Sequence, residues 1–217
     1  MTGRGDWFGD KEERRSYHHG RLKDALVEAA RRLVAERGLA GFTLADAAKL
    51  VGVTAAAPYR HFSDRNALVE EMARRGFEQF GERLHKAWDL GQPNPRTALA
   101  RMGEAYLDFA RQEPGLYSAM FSNIQTLSAP APGTAATKAL DVLRTAAQVT
   151  IEASVPGPAD GRELAFRLWA YAHGVATLTL AGHLDPAFEG GDPGHVLRQG
   201  SAALIDAAIK RAQAISR

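Results

Sequence analysis

Residues 42–62 read FTLADAAKLVGVTAAAPYRHF, and the spacing inside them decides the fold. Thr43 stands as a helix N-cap with Asp46 three residues on in the capping-box position, and Leu44, Ala47, Ala48 and Val51 fall on one face. Gly52 ends that helix because it can take the left-handed conformation, which lets the chain reverse, Val53 turn inward and Thr54 cap a second helix through its hydroxyl. Two crossed helices joined by a tight turn are expected. Pro58 falls in the first turn of the second, where a missing N–H is tolerated but the ring crowds the carbonyl near Thr54, so a small distortion is expected.

The second helix of such a pair can enter the major groove of DNA with its N-terminal residues nearest the base edges. Here those are Thr54, Ala55, Ala56 and Ala57, slim enough for close backbone approach and for methyl contact with thymine. Arg60 is the side chain able to grip guanine bidentately. Tyr59 and His61 suit phosphate oxygens, as does Arg65 at the start of the next helix, and Thr43 completes the candidate DNA-contacting set. The competing reading of this pattern alone is an ordinary helical hairpin with a solvated Tyr-Arg-His edge.

Working outward, Leu22, Leu26, Ala29, Ala30, Leu33 and Val34 recur at helical offsets until Gly38. Residues 1–19 carry no periodicity and read as a flexible arm; His18-His19 has no third ligand at a metal-binding spacing. After Ser63 or Asp64 as cap, Leu68, Met72, Phe77, Phe80, Leu84 and Trp88 describe one long connecting helix. Helices follow through Leu99–Phe109, Tyr117–Phe121, Ala139–Ile151, Arg162–Gly182 and Pro193–Ala214, with a Pro/Gly-rich loop over residues 122 to about 134. The expectation is an all-α fold of about nine helices: a helix-turn-helix unit of three helices at 20–66 and a larger ligand-binding and dimerisation unit at 67–217.

Composition agrees with a folded, soluble chain. Of 217 residues, 45% are hydrophobic, enough for a sizeable core. Zero cysteines exclude disulfides and Cys-ligated zinc, and with no secretory apolar run visible the expected location is the cytoplasm, without a membrane span. Net charge is +2, with 12 Lys/Arg against 9 Asp/Glu in the first 65 residues, so the basic excess sits with the proposed DNA-binding end. No nucleophile elbow, phosphate loop or metal-ligand helix is present, so no enzyme, cofactor or metal is expected. A DNA-compacting protein is the other alternative, distinguished by sequence-independent, steeply salt-sensitive binding.

From about Arg21 to Leu68 the chain resembles the DNA-binding domain of the TetR/AcrR family of transcriptional regulators. Gly38, Phe42-Thr43, Ala47-Ala48, Val51-Gly52-Val53-Thr54, Tyr59-Arg60-His61-Phe62 and Ala67-Leu68 carry the resemblance in that order. Ala56 stands where the family usually has Gly, and Arg65 where it usually has Lys. Trp169, His173 and Gly174 resemble the Trp-x-x-x-His-Gly element of one subgroup, supported by the run from Phe109 through Pro114, Leu116, Tyr117, Met120 and Phe121. The resemblance implies a repressor of a near-palindromic operator on double-stranded DNA, relieved by a small effector. Phe109, Tyr117, Met120, Phe121, Trp169 and His173 come from separate helices flanking the loop, and are the candidate lining of a site for an apolar or aromatic molecule, with core packing as the alternative for each. The apolar helix from Leu164 and the small-residue helix carrying Gly200, Ala203 and Ala207 point to a homodimer through the last two long helices.

Overall fold

In a computed structural model the chain is described over residues 9–122, 130–157, 159–185, 187 and 191–215, with side chains from Arg21 and, in the second stretch, from Gly133. Among these residues the regular structure is helical. Eight α-helices follow in order: α1 (Gly9–Arg37), α2 (Leu44–Val51), α3 (Arg65–Trp88), α4 (Pro95–Gln112), α5 (Pro114–Met120), α6 (Pro130–Glu152), α7 (Arg162–Leu180) and α8 (Pro193–Ile215). Three short 3-10 segments, Leu39–Gly41, Ala57–Arg60 and Asp89–Gly91, lie between them.

Local chemistry sets most helix ends. Thr43 and Asp46 form the reciprocal capping box: the Asp46 N–H donates to Thr43 Oγ1 at 3.1 Å and the Thr43 N–H to Asp46 Oδ2 at 2.9 Å. Gly52 closes α2 at φ 80°, its N–H donating to Lys49 O while the Val53 N–H reaches Ala48 O, so two orphan carbonyls are satisfied. Asp64, rather than Ser63, caps α3 by accepting from the Ala67 N–H at 2.9 Å, and Asn94 does the same for α4 ahead of Pro95.

Three expectations need correction. Residues Gly9 to His19 are helical and continuous with the rest of α1, whereas the sequence reading placed them in the arm; the Lys, Glu and Arg of that stretch are good helix formers that need no apolar face. Residues 1–8 lie outside the described part. Helix α6 begins at Pro130, a residue suited to a first helical turn, so 130–134 are not loop; 123–129 lie outside the described residues. The second helix of the helix-turn-helix is not an α-helix. An α-helix from Thr54 would require the N–H that Pro58 lacks to bond Thr54 O. That carbonyl instead accepts from the Ala57 N–H at 2.9 Å, and a 3-10 segment follows with no side-chain cap from Thr54.

Packing joins the two ends of the chain into one buried cluster. Leu26, Ala30, Leu33 and Val34 of α1 bury with Phe42, Leu44, Ala47, Phe62 and Leu68, each large side chain contributing about 1.5–3 kcal/mol of transfer free energy. Helix α3 then runs alongside α4, α5 and α6, and α4 also meets α7 and α8. The seven-residue α5 is wedged between α1 and α3. A Cβ on Gly115 would lie 2.2 Å from Arg31 O of α1, and one on Gly76 of α3 would lie 2.7 Å from Met120 Cγ, so both contacts depend on glycine. Arg31 reinforces the junction by bridging Glu28 at 2.8 Å and Glu113 at 3.0 Å. At the far end Gly200 of α8 lies under the Tyr171 ring, whose hydroxyl donates to Val196 O at 2.8 Å.

Candidate functional site

Two places carry functional chemistry. The first is the turn and 3-10 segment after α2. Thr54, Ala55, Ala56 and Arg60 are exposed, Tyr59 is 61% exposed, and Ala57 and His61 are half-buried around the buried Pro58. The His61 and Phe62 N–H groups both donate to Pro58 O, so the segment closes on itself before Phe62 enters the core. Thr43 is exposed at the start of α2, but its hydroxyl donates to Asp46 Oδ2 at 2.6 Å, which commits the proton to the cap. The same hydroxyl and the Thr43 N–H hold the Asp46 carboxyl below its ordinary pKa.

Arg65 departs from the picture of an outward phosphate ligand. Its Nε donates to Phe42 O at 3.1 Å, its Nη2 donates to Leu39 O, and the guanidinium stacks on the Phe42 ring at 4.7 Å. In this structure the side chain ties the start of α3 to the entrance of α2. It thereby fixes the angle between the connecting helix and the exposed segment.

The second place is a cavity of about 260 Å³ in the larger unit. Phe77, Phe80 and Leu84 of α3 form one wall, Leu99, Met102 and Tyr106 of α4 another, and Leu140 and Leu143 of α6, Leu168 and Trp169 of α7 and Ser201 of α8 close it, with Phe121 beside them. No lining residue among those described carries a charge.

A polar cluster borders this space. The Tyr117 and Tyr106 hydroxyls lie 2.8 and 3.1 Å from His173 Nδ1, and Phe121 meets the imidazole edge-on at 4.5 Å. Burial pushes the Tyr106 phenol well above its ordinary pKa, raises that of Tyr117, and lowers that of His173, so all three are uncharged at neutral pH. Nδ1 offers one lone pair or one proton, so it can satisfy one phenol at a time.

Of the six residues the sequence nominated for the ligand site, Phe121 and Trp169 line the cavity. Tyr117 and His173 stand behind it in the polar cluster. Phe109 and Met120 are fully buried at 0% exposure and belong to the core: Phe109 packs on Phe80 at 5.3 Å, and Met120 fills the space left by Gly76. Tyr106 and Ser201 were missed. Tyr106 sits in an ordinary apolar stripe, where the one available signal is that a buried phenol needs a partner.

The chain matches two family descriptions: residues 26–72 match "Bacterial regulatory proteins, tetR family", and residues 99–204 match "Tetracyclin repressor-like, C-terminal domain". A curated relative, the uncharacterized HTH-type transcriptional regulator YobS of Bacillus subtilis, is 28% identical over 100 residues, which is 46% of this chain; the match spans about half (51%) of that protein's length. A protein of unknown function from Rhodococcus sp. RHA1 is similar over 89% of this chain and 98% of its own, at 29% identity and a TM-score of 0.75. The fatty acid degradation regulator FadR of Bacillus halodurans shares the fold over 84% of this chain and 94% of its own, with 14% identity and a TM-score of 0.67. The TetR-family regulator PfmR of Thermus thermophilus does so over 83% and 97%, with 18% identity and a TM-score of 0.63. The two matched regions together span well over half of the sequence, hold the helix-turn-helix and most of the cavity's lining, and place the chain in the TetR family of transcriptional regulators.

Proposed function

We propose that this regulator is a repressor acting as a homodimer in the cytoplasm: residues 20–66 hold a near-palindromic operator on double-stranded DNA, and a small, largely apolar or aromatic effector in the unit formed by residues 67–217 releases it. The observation that carries this reading is the shared helix α3. Its N-terminus is tied by Arg65 to the entrance of α2, the first helix of the helix-turn-helix, and Phe77, Phe80 and Leu84 further along it form a cavity wall, so a molecule filling the cavity bears on the helix that holds the DNA-reading end.

On the DNA side, Thr54, Ala55, Ala56 and Ala57 meet base edges and Arg60 reads guanine, while Tyr59 and His61 position the backbone and Thr43 serves the surface through the cap that starts α2. Arg65 serves that surface by orienting it. Dimerisation through α7 and α8 is supported by Phe166, Leu178 and Leu180, which stand 61%, 45% and 41% exposed on α7. Such a pair sets two reading segments about 34 Å apart or a multiple of it. Trp169, His173 and Gly174 support membership of the C-terminal unit in the Trp-x-x-x-His-Gly subgroup, with Trp169 on the cavity wall and His173 behind it. The mainly hydrocarbon lining favours an apolar effector.

Selection of preferred sites from random duplexes tests the proposal. Enrichment of a two-fold sequence at moderate salt is expected, with Tyr59→Ala weakening every sequence alike and Arg60→Ala relaxing preference at one position by about 1–3 kcal/mol. Uniform retention of all duplexes, lost steeply with salt, would instead indicate a compacting protein.

A further inference from the structure

We propose that the cavity selects an uncharged ligand bearing one hydrogen-bonding group, anchored by the Ser201 hydroxyl, and that it rejects carboxylates. This rests on the reading of the cavity as the effector site and adds the charge and the anchor of what enters it.

Two independent observations meet. The first is the lining. The described wall holds aliphatic and aromatic side chains with a few neutral polar groups and no charged one. Tyr106 on the wall, and Tyr117 and His173 behind it, are all held neutral by burial. An ionised carboxylate brought into such a space loses its hydration and meets no cation among the described lining residues, and an unpaired buried charge is the least tolerated group in a protein interior.

The second is Ser201. It is 8% exposed and lies on the cavity wall in α8, and its side chain makes no hydrogen bond to any described residue, whereas the comparable buried Thr150 donates to Ala146 O at 2.7 Å. A serine in a helix has the carbonyl four residues back within reach, yet this hydroxyl does not bond it. On the cavity wall the Ser201 hydroxyl offers both a donor and acceptors to whatever fills the cavity. An alcohol, phenol, ketone or lactone satisfies it with one bond; a hydrocarbon does not use it.

The test is calorimetric titration of the full chain with three matched pairs: phenol and benzoate, 2-naphthol and 2-naphthoate, octanol and octanoate. Naphthalene serves as the bare hydrocarbon. The neutral member of at least one pair is expected to bind, with its carboxylate at least about thirtyfold weaker at pH 7.5, where the carboxylates are ionised. Ser201→Ala is expected to lower affinity for the neutral binder about tenfold, to leave naphthalene unchanged or tighter, and to leave the unliganded melting temperature unchanged or higher, since it removes a hydroxyl with no partner. A purely structural role for Ser201 would lower the melting temperature and weaken all ligands together, and that overturns the anchor. A carboxylate binding within tenfold of its neutral partner and releasing operator DNA overturns the charge selection while the effector site stands. Binding of no member of any pair removes the effector site itself.

Discussion

Replacing Gly115 by alanine tests whether α5 transmits position from the larger unit to α1. The added methyl would sit 2.2 Å from Arg31 O, 3.1 Å from Arg31 C and 3.4 Å from Ala35 N. A carbon–oxygen contact settles near about 3.3 Å, so α1 and α5 must part by about 1 Å, and because the obstacle is backbone no rotamer change relieves it. Overpacking of this kind costs about 1–3 kcal/mol, offset by about 0.5–1 kcal/mol from the better helix propensity of alanine. The net loss of about 1–2 kcal/mol lowers the melting temperature by roughly 2–8 °C for a chain of this length. Gly81→Ala is the control, because its methyl would meet the Ala139 methyl at 3.5 Å, an ordinary contact, and its melting temperature should hold or rise. Calorimetric melts of both variants, followed by fluorescence anisotropy on operator DNA, separate the cases. Gly115→Ala should melt lower and bind operator with altered affinity. If the two variants melt together and bind alike, the wedge carries no load and the coupling argument is wrong.

Thr43→Ala removes the capping box of α2 and is expected to lower stability by about 1 kcal/mol in urea unfolding, with weaker operator binding; an unchanged midpoint would contradict the cap. Glu71 is held at about 2, against an ordinary 4.5, chiefly by Arg74 and then Arg75, with Lys23 adding to the field. Its contribution is therefore complete above pH 4.5 and disappears as the pH falls from 4.5 towards 2, so Glu71→Gln should flatten the loss of stability across that window, as read by urea midpoints at pH 6 and pH 3. Equal acid sensitivity of wild type and variant would assign the loss to other carboxylates. Phe166→Glu combined with Leu178→Glu should turn a dimer into a 23.4 kDa monomer by light scattering and weaken operator binding; a persistent dimer would move the interface elsewhere.

What was legible in the sequence was local. The Thr43–Asp46 pair, the left-handed Gly52 and the helical stripe from Leu68 to Trp88 are each settled by residues within a few positions of one another, and the structure has them as read. Pro58 marked a distortion, but its size depended on whether Thr54 O could find another donor, and the Ala57 N–H supplied it. Arg65 was illegible for a different reason: its carbonyl partners at Leu39 and Phe42 lie more than twenty positions away and are placed by tertiary packing. The cavity was half-legible. Trp169 and Phe121 stood out as aromatics, whereas Leu99, Met102, Leu140 and Leu143 have the same periodicity as any core, and nothing local separates them from Phe109 or Met120, which are core. Ser201 was hidden among the small residues of α8.

Pro58 also limits how much text one subunit can take in. A 3-10 stretch advances about 2.0 Å per residue, so the four residues Ala57–Arg60 extend about 8 Å, little more than two steps of a duplex rising about 3.4 Å per base pair, with Thr54–Ala56 just ahead of them in the proposed reading segment. Each half of the proposed operator is thus a short word. A genome distinguishes one address from another mainly by the fixed interval between two such words and by how readily the intervening duplex bends or narrows, and scattered single words go unheeded.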